Sequence, residues 1–236
     1  MPRVGTQFAV SRPSLWRSFY RFHAETRVSL AHGVSGARTP QSRKIVNAGK
    51  TLLLSHSEDL PENMIDAVGT RHAPAPNARI VSLVPSLTEL LFDLGLGPRI
   101  VGRTGYCIHP APAVRRVKSV GGPKRVNLRA FAALAPTHAI LNIDENPKAV
   151  AEEIARLGVT PVVTHPIDVD DNLALYRLLG GLFGRTQEAA LLIDRFTAAR
   201  RALAHTARAL PPRRVLYLIW MKPWMTVSTD TYVSRL

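Results

Sequence analysis

The sequence predicts an α/β fold with a mostly parallel β-sheet, and three observations support this prediction. Residues 80–84 form a short, nearly continuous apolar run, which is typical of a parallel strand covered on both faces. From residue 78 onward, strand and helix signals alternate in the order β-α-β-β-α-β-α-β. After residue 171 only helical patterns follow, until a new apolar strand begins near residue 214. We therefore expect one α/β lobe, a helical segment and the start of a second unit.

The first strand, at residues 79–84, is predicted to end at Pro85 and to lead into a helix over residues 87–94. Ser86 and Glu89 have the spacing of a capping box, in which both side chains satisfy free N–H groups at the helix start. Gly95 is placed to end the helix. Because ligands collect at the carboxyl ends of strands in open α/β sheets, this turn is predicted to face a ligand.

The other elements of this lobe follow from strand runs separated by Gly, Pro and Asn. Asn127 is predicted to cap a helix in which apolar residues recur every three positions. The predicted elements are a strand at 100–102, a loop at 103–112, a strand at 117–120, a helix from 128 closed by Pro136, a strand at 138–143, a helix from Pro147 to 157 and a strand at 159–164.

Two helices and a strand are predicted after the lobe. Residues 173–183 form the first helix, weakened by Gly180 and Gly181. Thr186 is predicted to cap a second helix over residues 187–209, roughly 35 Å long at 1.5 Å per residue. Pro211 and Pro212 end it, an apolar strand covers 214–220, and a further helix begins at Asp230.

Composition limits the function classes. The formal net charge of +14 suggests nucleic acid, but residues 1–56 carry nine Lys and Arg against one acidic residue, so over half of the excess lies in the first quarter. Nucleic-acid binding therefore ranks last. No stretch approaches the roughly 18 apolar residues of a transmembrane helix, and no secretory signal pattern is visible. The single cysteine, Cys107, excludes an intramolecular disulfide.

Several stretches together resemble the helical-backbone solute-binding proteins of ABC importers for vitamin B12 and iron chelates. The resemblance extends from about residue 64 to 236. Its motifs are RIVSLVPSLTEL from Arg79, VGG from Val120, LAPTHAI from Leu134, LGV from Leu157, VLYLIW from Val215 and PWMTVS from Pro223. GYCIHP from Gly105 and DEN from Asp144 are similar to the subgroup of cobalamin-binding proteins and helical-backbone metal receptors.

The resemblance implies a two-lobed, periplasmic-binding-protein-like fold with a long interlobe helix and a second lobe that is largely missing. The expected divisions are a disordered or spurious basic extension at 1–63, an N-terminal α/β ligand-binding lobe at 64–170, a helical segment with the interlobe helix at 171–210 and the start of a truncated C-terminal α/β lobe at 211–236. Met64 is accordingly the expected working start, although a genuine transit-like extension has a similar composition.

The resemblance also implies that a metal chelate binds between the lobes. The candidate ligand-binding residues are Pro85, Ser86, Tyr106, Cys107, His109, Gly121, Gly122 and Trp224. Tyr106 and Trp224 have rings suited to a corrin or siderophore face, and the alternative is that both anchor loops. Cys107 and His109 are candidate axial ligands of cobalt or iron, whereas a structural zinc site needs more ligands than this loop contains. His138 and His165 are weaker metal candidates.

The family's partner is an ABC permease, and Glu145 is the candidate residue for docking to it. The alternative is that Asp144 and Glu145 only place negative charge before the start of a helix, where the helix dipole favours it. This alternative explains the acidic pair equally well. No catalytic cofactor is expected, since a cobalamin or an iron chelate is the ligand, and we expect a monomer without a transmembrane segment. The family is periplasmic, but the absence of a visible signal peptide keeps a cytoplasmic location open.

Other functions remain as alternatives. An enzyme is less favoured: Ser86, His109 and Asp168 have hydrolase chemistry, but no Gly-x-Ser-x-Gly elbow surrounds Ser86. No dinucleotide or P-loop motif is present. Two further alternatives are a cytosolic carrier of a corrinoid or metal chelate and a non-functional truncated product. Among ligands, the sequence leaves corrinoid, heme and siderophore open.

Overall fold

The computed structural model describes residues 64–236, and their centre is a five-stranded sheet in which all strands are parallel. The strands are β1 (Ile80–Ser82), β2 (Ile100–Arg103), β3 (Lys118–Ser119), β4 (His138–Asn142) and β5 (Thr160–Thr164). Their order across the sheet is β3-β2-β1-β4-β5. The predicted α/β class is confirmed, and so is the predicted order of strands and helices over residues 79–164.

The helices of the lobe connect these strands, and two more follow. They are α1 (Pro85–Asp93), α2 (Leu128–Ala133), α3 (Lys148–Arg156), α4 (Asp171–Leu182) and α5 (Thr186–Arg208). Short 3-10 turns lie at Gly97–Arg99, Ala113–Arg116 and Tyr232–Arg235. No helix within residues 64–236 is long and apolar enough to cross a membrane.

Helices cover both faces of the sheet, which explains why the middle of β4, residues 139–141, is apolar and fully buried. Leucines of α1 and α4 pack with Ile80, Ile140 and Val162 on one face. Phe131 of α2 and the apolar side of α3 pack on the other face, against neighbouring strand residues such as Val81. Because successive strand residues point to opposite faces, a strand covered on both sides buries consecutive apolar residues in its middle. Polar residues lie at strand ends, such as His138 and Asn142, and in β3 at the edge of the sheet.

Two predicted helix caps are wrong, because each predicted cap residue lies inside its helix. Helix α1 begins at Pro85, whose fixed backbone angle suits a first turn, and Val84 is the N-cap residue without a side-chain cap. Ser86 therefore lies inside the helix and cannot form the predicted capping box with Glu89. Thr186 is likewise the first helical residue of α5 and not its cap. In contrast, the predicted cap of α2 is confirmed, since Asn127 accepts a hydrogen bond from the Ala130 N–H at 3.0 Å.

Helices α4 and α5 pack closely at Gly180. A Cβ atom added there would lie 2.5 Å from the Cβ of Ala189, so only glycine allows this contact. The glycine that weakens α4 in isolation thus allows it to pack against α5. Farther along, the exposed guanidinium of Arg200 donates two hydrogen bonds to Asp170, at 3.0 and 3.1 Å, and these hydrogen bonds lower the pKa of that carboxyl.

The predicted strand at 214–220 is wrong in its bounds. The structure has an antiparallel hairpin of β6 (Leu218–Met221) and β7 (Trp224–Thr226), and residues 214–217 lie outside it. Within residues 64–236 this run pairs across a local turn at Pro223, and all four residues of β6 are exposed. The predicted helix at Asp230 is a 3-10 turn.

Residues 64–72 attach to β5 through a buried carboxylate that the sequence pattern did not indicate. Oδ1 of Asp66 accepts the N–H groups of Val68 and Thr70 at 3.1 and 2.9 Å. Its Oδ2 accepts the Val163 N–H at 3.1 Å and lies 3.1 Å from Nε2 of His72. Asp66 and His72 are both buried, so this network holds residues 64–72 against the sheet.

Candidate functional site

The strand order creates a switch point between β1 and β4. From β1 the chain continues to β2 and β3 on one side, and it then crosses to β4 and β5 on the other side. The segments that leave β1 and β4 consequently diverge at the carboxyl end of the sheet. Pro85 and Ser86 follow β1, whereas residues 143–145 follow β4. Ligands of open α/β sheets bind in the crevice that forms at such a point.

A large cleft lies at this position, and we term it the switch-point cleft. Its volume is about 1390 Å³, which exceeds the roughly 300–1,000 Å³ of ordinary small-ligand pockets. One wall comes from the ends of β1 and β4 and from α1. The opposite wall comes from the β6–β7 hairpin and the 3-10 turn at Tyr232–Arg235. Trp224, Tyr176 and Tyr232 provide aromatic surface to the cleft.

A smaller cavity adjoins this cleft, and we term it the Tyr106 recess. Its volume is about 510 Å³. Lys124 and Glu145 line both cavities, so the two are continuous. The residues that line the recess are Pro85, Tyr106, Gly122, Pro123, Lys124, Arg125 and Glu145.

Two loops meet at the recess because their backbones are hydrogen-bonded to each other. The Gly105 N–H donates to the carbonyl oxygen of Gly121 at 2.8 Å. This contact brings the Tyr106 ring beside Gly122, where an added Cβ would lie 3.6 Å from Cε2 of the ring. The Tyr106 side chain lines the recess, and the residue is 68% exposed, so it has surface available for a ligand. The 3.6 Å distance is an ordinary van der Waals contact, so the ring would pack against a side chain at position 122 as well.

A buried amide holds the recess to the sheet. Nδ2 of Asn146 donates to the carbonyl oxygen of Pro123 at 3.0 Å and to that of Leu83 at 3.5 Å. Its Oδ1 accepts the N–H of Asn142 at 2.9 Å. Asn146 thereby connects the ends of β1 and β4 with the loop that carries Lys124. The sequence prediction missed this residue, although its position just after a strand end was a possible signal.

Charge is distributed unevenly around the two cavities. Apart from Lys124, the charged residues that line the switch-point cleft are acidic: Glu89, Asp93, Asp144 and Glu145. In the recess, Lys124 and Arg125 face a single carboxylate, that of Glu145. Oδ1 of Asp144 lies 3.5 Å from Nε2 of His165. The positive charge is therefore concentrated at the Tyr106 end.

The structure brings six of the nine predicted site residues to these cavities. Pro85, Tyr106 and Gly122 line the recess, Ser86 and Trp224 line the cleft, and Glu145 lines both. Gly121 lines neither cavity, and its role is to shape the loop. The predicted docking residue Glu145 is exposed, so a role in docking stays a prediction.

Cys107 and His109 also lie outside the lining of both cavities. The Cys107 thiol is fully buried, and its Sγ lies 3.2 Å from Oγ1 of Thr104. This placement counts against a contact between Cys107 and cobalt or iron. The His109 ring is exposed and has no hydrogen-bond partner within residues 64–236, so metal contact by this residue remains a prediction.

Within residues 64–236, no group of three or more His, Cys, Asp and Glu side chains could hold a metal ion. His138 begins β4 and so lies at the amino end of the strand, away from the cleft. Burial, and to a lesser extent the nearby imidazole of His72, lower the pKa of His138. No hydrogen bond within the described range joins Ser86, His109 and Asp168, the three residues of the hydrolase alternative.

The cleft also contains aromatic residues that sequence reasoning missed. Tyr176 extends from α4, and its ring packs edge-on against Phe196 of α5 with centroids 6.1 Å apart. Burial of its hydroxyl raises the pKa of Tyr176. The hydroxyl of Tyr232 accepts a hydrogen bond from Nδ2 of Asn172 at 2.9 Å. Tyr176 also packs against the hydrophobic core, and the packing of α4 places it in the lining of the cleft.

Comparison with known proteins places this architecture in one family. The family model described as "Periplasmic binding protein" matches residues 80–236. Vitamin B12-binding proteins of Yersinia pestis (strain Pestoides F) and Yersinia pseudotuberculosis (strain YPIII) are each 24% identical to this chain over 157 residues. The match covers 66% of this chain and 56% of each relative, so the chain spans just over half the length of these relatives.

Solved structures have the same fold. The periplasmic vitamin B12 binding protein of Vibrio cholerae has a TM-score of 0.63 and 23% identity, with 69% of this chain and 63% of that chain covered. A periplasmic heme-binding protein from Roseiflexus sp. RS-1 has a TM-score of 0.60 and 24% identity, with 67% and 62% covered. These names describe binding proteins and not enzymes, in agreement with the prediction from sequence. On the match over residues 80–236, the chain belongs to the periplasmic binding protein family.

Proposed function

We propose that this chain binds a metal chelate, cobalamin or an iron chelate such as a ferric siderophore or heme, and delivers it to an ABC-type permease in the periplasm. The single observation that carries the proposal is the switch-point cleft. It lies at the carboxyl edge of the sheet, where the fold places ligands, and its volume suits a ligand larger than an ordinary metabolite. The family assignment supports a transport role at the level of the family.

Trp224 gives the proposal a direct test within the cleft. Its ring is 65% exposed and lines the cleft, so a flat ligand can pack against it. Trp220 lies on the same hairpin and is similarly exposed, but it lines neither cavity. The two tryptophans are therefore a matched pair.

The experiment is a titration of the purified protein with aquocobalamin, hemin and a ferric hydroxamate, followed by visible absorption and calorimetry. We expect saturable binding of at least one chelate. Trp224→Ala should weaken this binding by about tenfold or more, whereas Trp220→Ala should leave it within about twofold. Absence of binding for all three chelates would reject the proposed function. If His109 ligates the metal, the spectral shift on binding should disappear in His109→Ala.

Delivery to a permease is the second part of the proposal, and Glu145 is its candidate contact. Its carboxylate is exposed and has no ion-pair partner within residues 64–236. Glu145→Gln should reduce uptake into vesicles that contain the cognate permease without an equal loss of chelate affinity. Glu153→Gln, on α3, is the control. Equal losses of uptake and affinity in Glu145→Gln would assign this residue to ligand binding.

A further inference from the structure

The turn that carries Lys124 and Arg125 has a fixed shape. Gly121 and Val126 pair as an isolated antiparallel bridge, and the Gly122 N–H donates to the Arg125 carbonyl oxygen at 3.1 Å. Gly121 has a φ of +102°, and an added Cβ would lie 2.8 Å from the same carbonyl oxygen. Residues 121–126 thus form a tight loop, which we term the cationic loop.

The cationic loop is anchored from two sides. Asn146 binds its Pro123 carbonyl oxygen, and Gly105 binds its Gly121 carbonyl oxygen. The first contact comes from the segment after β4, and the second comes from the loop that bears Tyr106. Because both anchors are hydrogen bonds to the backbone, the position of the loop does not depend on its own side chains. An anchored backbone reduces the entropy that binding costs, because only the exposed Lys124 and Arg125 side chains have to become ordered when an anion binds.

Lys124 and Arg125 are free to bind a ligand. Both are exposed, and neither forms an ion pair with a carboxylate within residues 64–236. Both line the recess beside the Tyr106 ring, together with one acidic residue, Glu145. A guanidinium group binds carboxylate and phosphate oxygens in a bidentate manner, and an ammonium group adds a compact charge.

The rest of the lining determines where an anionic group can go. Glu89, Asp93 and Asp144 line the switch-point cleft outside the recess. Like charges in a partly enclosed cleft repel each other, so a negative group of the ligand is disfavoured on that side. The recess is the part of the lining where cations outnumber carboxylates. The charge pattern therefore favours one orientation for a ligand with an anionic edge.

We infer that the Tyr106 recess binds the carboxylate or phosphate groups at the edge of the chelate, with Lys124 and Arg125 as the anion contacts and the Tyr106 ring against its flat face. The inference rests on the proposed function and specifies its ligand class: chelates with an anionic substituent are preferred over neutral ones of the same shape.

Two pairs of probes test this preference, because each pair differs in the anionic group. Hemin has two propionates, and its dimethyl ester has none. Cyanocobalamin has a phosphodiester, which dicyanocobinamide lacks together with the ribose and benzimidazole, so the hemin pair is the one with closely matched shapes. We expect the wild-type protein to bind the anionic member of at least one pair about tenfold more tightly, as one charged hydrogen bond can provide. Lys124→Gln/Arg125→Gln should abolish that preference and leave affinity for the neutral member within about twofold.

The control variant is Arg115→Gln/Arg116→Gln. It also removes two adjacent cations from the same lobe, and these residues are exposed and line neither cavity. It should retain the wild-type preference. The inference is overturned if wild type binds both members of each pair equally, or if the control loses the preference as fully as the cationic-loop variant. If neither pair binds but the ferric hydroxamate does, the inference is overturned and the proposed function stands. If none of these chelates binds, the proposed function itself fails, so the two failures are distinct.

Discussion

The side chain of Asn146 donates a hydrogen bond from Nδ2 to the carbonyl oxygen of Pro123, at a distance of 3.0 Å. The two residues are 23 positions apart in the sequence, and the contact joins the segment after β4 to the cationic loop. Asn146 is only 2% exposed. A buried amide with satisfied donor and acceptor groups is well suited to fix a binding loop, since any movement of the loop leaves polar groups unpaired.

Asn146→Ala should therefore affect both stability and binding. The Asn142 N–H and the Pro123 carbonyl oxygen lose their partner, which should cost about 1–3 kcal/mol in the free energy of unfolding. Binding of the preferred anionic chelate should weaken as well, because Lys124 and Arg125 are no longer held in place. Urea denaturation and calorimetric titration measure the two effects.

Thr164→Val is the control for Asn146→Ala. It removes a single buried hydrogen bond, from Oγ1 of Thr164 to the Leu141 carbonyl oxygen at 2.9 Å, without touching the cationic loop. It should lower stability by about 1 kcal/mol and leave chelate affinity unchanged. If Asn146→Ala weakens binding no more than Thr164→Val does, Asn146 has only a structural role.

The adjacent glycines of the cationic loop should differ in their tolerance of alanine. Gly121→Ala should destabilise the protein by at least about 1–2 kcal/mol, because L-residues rarely adopt its φ of +102° and its Cβ would meet the Arg125 carbonyl oxygen. Gly122→Ala should stay within about 0.5 kcal/mol, since its Cβ would make only an ordinary contact with Tyr106. Thermal denaturation of both variants is the measurement, and equal losses would contradict the loop geometry.

Asp66 should be important for the attachment of residues 64–72. Asp66→Ala leaves the buried N–H groups of Val68 and Val163 without their acceptor, and should lower the free energy of unfolding by about 3 kcal/mol or more. Hydrogen exchange at the Val68 and Thr70 amides should accelerate in this variant. Asp93→Ala removes an exposed carboxylate from α1 and should cost less than about 0.5 kcal/mol. Similar losses in both variants would argue against the buried network.

His138 should make stability depend on pH. Burial, followed by the nearby His72, lowers the pKa of His138 below the 6.5 of a free imidazole. Below that pH the unfolded chain takes up a proton more readily than the folded chain does, so the folded protein loses stability as the pH falls. His138→Gln removes this contribution.

Urea denaturation at about pH 7.5 and about pH 5.5 tests the sign of this effect. Wild type should lose more stability on acidification than His138→Gln does. The ring of His138 also packs edge-on against Phe183, with centroids 5.7 Å apart, so the variant loses packing as well. That loss is present at both pH values and cancels in the comparison. A steeper loss in His138→Gln would show that the charged imidazole is favoured in the folded state.

Local sequence signals predicted the elements better than their ends. Asn127 caps α2 as predicted. The prediction was straightforward because Asn is a preferred N-cap residue directly before a helical apolar pattern. The Ser86–Glu89 spacing also matched a capping box, yet the helix begins two residues earlier than predicted, at Pro85, and Ser86 lies inside it. A proline can end a strand or begin a helix, and the sequence pattern alone did not separate the two.

The residues of the candidate site were also predicted only in part. Tyr106, Gly122 and Trp224 were identified from their loops and from the family resemblance, and the structure places all three in the lining of the cavities. Cys107 was chosen for its chemistry, but its thiol lies in the core beside Thr104. Residues that face opposite sides of one short loop cannot be told apart without the packing around that loop.

By itself, the sequence determined the α/β class, the order of elements in the lobe and the edge of the sheet at which the cleft lies. These depend on local periodicity and on turn residues, which act over a few neighbouring positions. Only the tertiary structure decided that Asn146 anchors the cationic loop, that Asp66 reaches β5, and that positive charge is concentrated at the Tyr106 recess. These contacts join residues far apart in the chain, and such pairs are set by how strands and helices pack, which no local pattern encodes.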